Sequence, residues 1–126
     1  MSESSAGGAV EAPTDPEDVK IVTLARSALA RTDTAQGACV RDTDGRTYAA
    51  TDVALEHLRL SAVAVAVAMA VSSGAEGLEA VALATAGEPD PYALDADLEV
   101  VRDLAGADVA LWAVDPRGVV RARVTT

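Results

Sequence analysis

Between Thr14 and Thr32, apolar residues fall at helical spacing. Val19, Val22, Ala25 and Leu29 lead, flanked by Ile21, Leu24 and Ala28. The spacing predicts an amphipathic helix with Asp15 as N-cap and Pro16 in its first position. Glu17 and Asp18 complement the positive end of its dipole. Arg26 and Arg31 stand toward the other end, and a stop is expected near Thr32-Asp33. A hairpin follows, in which Gly37 to Arg41 leads into the turn Asp42-Thr-Asp-Gly45 and Arg46 to Ala50 returns. Residues 51–60 read as a mixed loop. From Ser61 to Ser73, Val and Ala alternate as in a buried strand, but the length, the alanine density and the closing Ser-Ser-Gly74 favour a helix. Leu78 to Thr85 predicts a buried strand, Ala86 to Pro91 a loop, and Leu94 to Ala105 an amphipathic helix stopped by Gly106. Asp108 to Val114 predicts another strand. The turn Asp115-Pro-Arg-Gly118 then sends Val119 to Val124 back with Val120, Ala122 and Val124 on one buried face. The predicted order is αββαβαββ, an α/β fold.

Composition changes the picture at three points. Residues 1–13 are rich in Ser, Gly, Ala and Glu and read as a disordered acidic tail, leaving 14–126 as one domain. Half the residues are hydrophobic, but the aromatics are only Tyr48, Tyr92 and Trp112, so the core must be built from Ala and Val. Such a core buries less area per residue, and oligomerisation would supplement it. The Ser61–Ser73 helix, apolar all round, is expected near a subunit interface.

The net charge of −10 argues against nucleic-acid binding and against an anionic membrane surface. The longest mainly apolar run, Leu60 to Val71, is too short to span a membrane, which takes about 20 residues. The N-terminus lacks the order of a signal peptide, so a cytoplasmic location is expected. Cys39 has no disulfide partner, and with His57 as the single histidine a zinc site of Cys and His ligands cannot be assembled.

Several local sequences resemble the cytidine deaminase family. Gly37-Ala-Cys-Val40 with the Asp-Gly turn and Tyr48 is similar to that family's opening hairpin. Ser61 to Gly74 is similar to its first zinc-ligand helix, and Val100 to Gly106 to the end of its second. The tight Asp115–Gly118 turn makes the last two strands antiparallel, as in the branch that acts on free nucleosides. The resemblance implies a three-layer α/β/α domain with a five-stranded mixed sheet, assembled as a homo-oligomer, a tetramer or dimer.

The chemistry departs from that pattern. Zinc deaminases carry a His or Cys ligand, a Glu two residues later, and a Pro-Cys-x-x-Cys segment. Here the ligand position holds Ser61 and the Glu position Val63, while the two cysteines fall on Leu94 and Asp97. The Asn-x-Glu segment that binds ribose in the family has no counterpart around Thr51 to Leu55. No catalytic residue, metal ligand or zinc cofactor is therefore expected. Ser61 is expected to cap the first of these helices and Asp95 or Asp97 the second, satisfying N–H groups left without the metal.

Asp52 and His57 remain as candidate ligand contacts, with a solvated surface role the plainer reading for His57. Cys39 reads as a small buried hydrophobe and Trp112 as core or interface. The acids Asp90, Asp95, Asp97 and Glu99 read as solvated dipole complement rather than a cation site, and Arg121 and Arg123 as a solvated edge. The expected function is binding or scaffolding without deaminase activity, with a nucleoside or another protein as partner. The alternative is a divergent nucleoside deaminase or hydrolase whose site is completed across subunits.

Overall fold

A computed structural model describes residues 10–126. The tail expected over 1–13 lies mostly outside that range; residues 10–13 carry no regular structure. Helix α1 (Pro16–Arg31) is capped by Asp15, whose side chain accepts from the Glu17 N–H at 2.9 Å. Its buried stripe is Ile21, Val22, Ala25 and Ala28. Val19, expected in that stripe, lies out of phase with it and is exposed. Strands β1 (Gln36–Asp42) and β2 (Thr47–Thr51) form the expected antiparallel hairpin.

Residues 51–60, read as a loop, contain two short strands, β3 (Val53–Ala54) and β4 (Arg59–Leu60), paired antiparallel with His57 exposed between them. At two residues each they lie below the length at which period-two patterning shows. Helix α2 (Ala62–Ser72), β5 (Leu78–Thr85), α3 (Pro91–Ala105), β6 (Ala110–Val114) and β7 (Val120–Thr125) complete the chain. Strand β6 starts later than expected because Asp108 takes a left-handed backbone, φ +68°, that no strand continues through.

The main sheet runs β2-β1-β5-β6-β7. Only β5 and β6 are parallel, joined by the α3 crossover, so the sheet is mixed. Alternate residues face opposite layers. Ala38, Val40, Val81, Leu83, Leu111 and Ala113 pack with α2 and α3, whereas Cys39, Ala80, Ala82, Ala84 and Trp112 pack with α1. The result is the three-layer α/β/α arrangement.

The small residues on the α1 side let the helix sit close. A Cβ on Gly37 would run into the Ala25 carbonyl oxygen and lie 2.7 Å from the Leu29 backbone nitrogen. Arg41 ties the layers together through Asp18 on α1 and Glu79 on β5, each at 3.0 Å. On β7 the expected single buried face is split. A bulge opposite Ala113/Val114 turns Val120 toward the α1 layer, while Ala122 and Val124 pack on the other.

Candidate functional site

Asp52, Gln36, Ser61 and Asp97 form a chain of polar contacts where the start of β1 meets the starts of α2 and α3. Asp52, just past β2, accepts the Gln36 backbone N–H at 2.8 Å. The Gln36 side-chain oxygen accepts the Ala62 N–H at 3.2 Å, satisfying the first turn of α2. Ser61, the N-cap of α2, accepts the Ala64 N–H at 3.1 Å and donates its hydroxyl to Asp97 Oδ1 at 2.6 Å. The residues expected at former ligand positions are thus brought face to face, with a hydrogen bond between two of them.

Asp97 does not cap α3. That helix begins one turn before Leu94, and Asp90 is its cap, accepting the Tyr92 N–H at 3.0 Å. Asp90-Pro91 repeats the Asp15-Pro16 signature, so the true start was legible in the sequence. Asp97 instead sits in the second turn with its side chain turned into the fold, and Asp95 is exposed. Leu94, three residues earlier, is buried beside it. Asp97 is 3% exposed, and Oδ2 has no hydrogen-bond partner among the described residues. Burial raises its pKa, and the Ser61 hydroxyl only partly offsets that by stabilising the charged form.

A cavity of about 110 Å³ opens beside this carboxylate, lined by Gln36, Leu83, Thr85, Asp90, Leu94 and Asp97 with the Glu88-Pro89 loop over it. Val63, expected at the family's Glu position, is fully buried in the core. Gln36 is the participant that sequence reasoning missed. A lone Gln at a strand start carries no motif, and its role depends on a helix that enters from a remote part of the chain.

The other candidates lie elsewhere. His57 is exposed and absent from the cavity lining. Asp52 is half-buried and committed to the Gln36 backbone. Cys39 is fully buried, and burial pushes its thiol up to about 11, which leaves it an inert core residue at neutral pH. Trp112 is core and lies under Arg123, whose guanidinium stands 5.0 Å from the ring centroid. Arg121 pairs with Asp115 at 3.1 Å.

Among the described residues, no group of three or more His, Cys, Asp or Glu converges in a metal-binding arrangement. The positions expected from the resemblance to hold zinc, Ser61, Leu94 and Asp97, offer one hydroxyl already serving as a cap, one aliphatic side chain and one carboxylate. That donor set does not fit the ion.

The chain is similar in fold to solved cytidine deaminases. That from Burkholderia pseudomallei superposes with a TM-score of 0.70 at 18% identity, covering 86% of this chain and 90% of its own. The Mycobacterium leprae enzyme gives 0.63 at 16% identity over 85% and 91%. The Mycobacterium tuberculosis enzyme gives 0.60 at 21% identity over 74% and 81%. No curated protein matches the sequence. A family model described as cytidine deaminase-like matches residues 14–118. With its layered sheet and paired helix starts, the chain belongs to the cytidine deaminase-like family.

Proposed function

We propose that this chain is a cytidine-deaminase-fold protein that acts by binding or scaffolding, without zinc and without deaminase chemistry. The observation that carries the reading is the 2.6 Å hydrogen bond from Ser61 to Asp97. In the family's pattern these positions, with Leu94, supply three ligands to zinc, which lowers the pKa of a bound water to about 7. Here Ser61 serves the helix and Asp97 serves Ser61. The Glu that would move protons is replaced by buried Val63, which carries no proton for exchange.

Size points the same way. The cavity of about 110 Å³ falls short of the roughly 300–1,000 Å³ of ordinary ligand pockets, so a nucleoside does not fit without opening it. The missing ribose-binding segment adds to this and favours a scaffold over a nucleoside sensor.

For assembly, the relevant surface is the outer face of α2, where Ala64, Val67, Ala68 and Val71 form a groove with Val100 and Leu104 of α3. Met69 and Val71 beside it are 40% and 53% exposed. A second copy of the chain covering this face, in a dimer or tetramer, would bury the rest of an otherwise apolar helix. Among the described residues no helix is long and apolar enough to cross a membrane. We place the protein in the cytoplasm, where an unpaired thiol such as Cys39 stays reduced.

The test is steady-state turnover of cytidine, deoxycytidine and adenosine with the purified chain, with and without added zinc. No turnover is expected under either condition. Zinc-dependent turnover abolished by a chelator would overturn the reading in favour of a divergent deaminase completed across subunits.

A further inference from the structure

Asp97 is a buried carboxylate with no cation beside it among the described residues. Its Oδ1 takes the Ser61 hydroxyl and its Oδ2 takes nothing among the described residues. Leaving such an atom unpaired in a low-dielectric site is costly, and native structures tolerate it where something else completes the pairing. The cavity next to it has the character to supply that partner. Its charged lining is Glu88, Asp90 and Asp97, all acidic, with no Lys or Arg among its walls.

Arg117 and Arg121 belong to the adjoining groove, and both are engaged by Asp115, at 3.5 Å and 3.1 Å. The carboxylates do not converge as metal ligands do, so a divalent ion is not what they suit. Gln36 and Thr85 add polar groups, while Leu83, Ala93 and Leu94 add an apolar wall. The volume of about 110 Å³ has room for roughly four water-sized groups.

We propose that this cavity is a binding site for a small organic cation, an amidinium or primary ammonium group on a short apolar stem, held by the Asp97 carboxylate. The inference rests on the metal-free reading given above and names the ligand class for the same site. An amidinium N–H donates to Oδ2 once the wall that seals this atom from water shifts, while Oδ1 keeps its bond to Ser61 and the α2 cap is unchanged. Glu88 and Asp90 at the mouth draw cations in, and the stem packs on Leu83 and Leu94. A neutral molecule of the same shape gains the packing without the charge.

The test is an NMR titration of the full chain with acetamidinium, propylammonium and the neutral isostere acetamide. Saturable shifts are expected at the amides of Gln36, Ser61 and Ala62 and across residues 85–97 with both cations. Acetamide should bind at least about tenfold more weakly, a factor worth about 1.4 kcal/mol. Asp97→Asn should bring acetamidinium down to the acetamide level. If that variant does not fold, the comparison of acetamidinium with acetamide on the wild-type chain decides alone. Equal binding of the two, or no saturable shift with either cation, would overturn the inference. Cytidine turnover with added zinc is measured on the same sample. Turnover overturns the metal-free reading itself, whereas absent cation binding without turnover removes only this ligand assignment.

Discussion

Asp42, Asp97 and Asp115 are all buried, and their surroundings push them in opposite directions. For Asp42, burial raises the pKa, but the Tyr48 hydroxyl and the N–H groups of Arg46 and Asp44, each at 2.9 Å, outweigh it and hold the carboxyl below its ordinary value. Asp115 is held down in the same way by the N–H groups of Val119 and Arg117 and by the nearby arginines. Asp97 has a single donor among the described residues, so for it burial wins. A raised carboxyl pKa means that folding favours the protonated form. Its contribution to stability is then fully present below the unfolded value of about 3.9 and declines as pH rises through the folded value. Asp42 and Asp115 act the other way, contributing above about 3.9 and losing that contribution as pH falls through their folded values. Replacing Asp97 by Asn removes the ionisation. The melting temperature of Asp97→Asn, followed by circular dichroism, should therefore gain on the wild type as pH rises above about 4. A gap that stays constant with pH would show that Asp97 is not the group whose ionisation opposes folding.

Helix α2 depends on Ser61 twice over, as a cap and as the donor to Asp97. Loss of an N-cap serine costs about 1 kcal/mol, or ~4 °C in a domain of this size. Ser61→Ala should cost clearly more than that in urea unfolding, because it also strips the buried carboxylate of its partner. Ser61→Thr keeps both bonds and should recover most of the loss. A loss in Ser61→Ala no larger than the capping value would mean that the bond to Asp97 contributes nothing. The α1–β1 contact gives a second check at this scale. A methyl on Gly37 meets backbone atoms of α1 rather than a side-chain tip, so nothing flexible can yield. Gly37→Ala should destabilise by about 2 kcal/mol or more, in the upper range for overpacking. A near-neutral result would mean that the helix does not sit as close as the structure has it.

At the level of the whole molecule, a core built from Ala and Val leaves one helix with apolar side chains on both its faces. Ala62, Val63, Ala66, Val67 and Ala70 of α2 are buried, while Met69 and Val71 face outward. Light scattering of the full chain at micromolar concentration should give a mass at a multiple of 12.8 kDa. The variant carrying Met69→Glu and Val71→Glu should run as a monomer with its secondary structure kept, since both positions are exposed within one chain. A wild-type monomer at that concentration would remove the self-association reading and leave another protein as the cover for this face.

What the sequence by itself determined is everything carried by neighbours in the chain. The Asp15-Pro16 cap, the Asp42–Gly45 and Asp115–Gly118 turns, the Ser61 cap and the continuous apolar run of β5 each depend on residues close together in the chain, so each is legible from the order of residues alone. The family resemblance added the order of the layers. It also marked Ser61, Val63, Leu94 and Asp97 as the positions where the family's site residues are expected. The tertiary structure decided what those positions now do. Ser61 and Asp97 are 36 residues apart, and Gln36 and Ala62 are 26 apart. Local propensity treats each of them alone, as cap, solvated acid or strand residue. Only the packing of α2 and α3 on one face of the sheet brings them within a hydrogen bond of one another. The same packing buries Asp97 and leaves a small acidic cavity beside it.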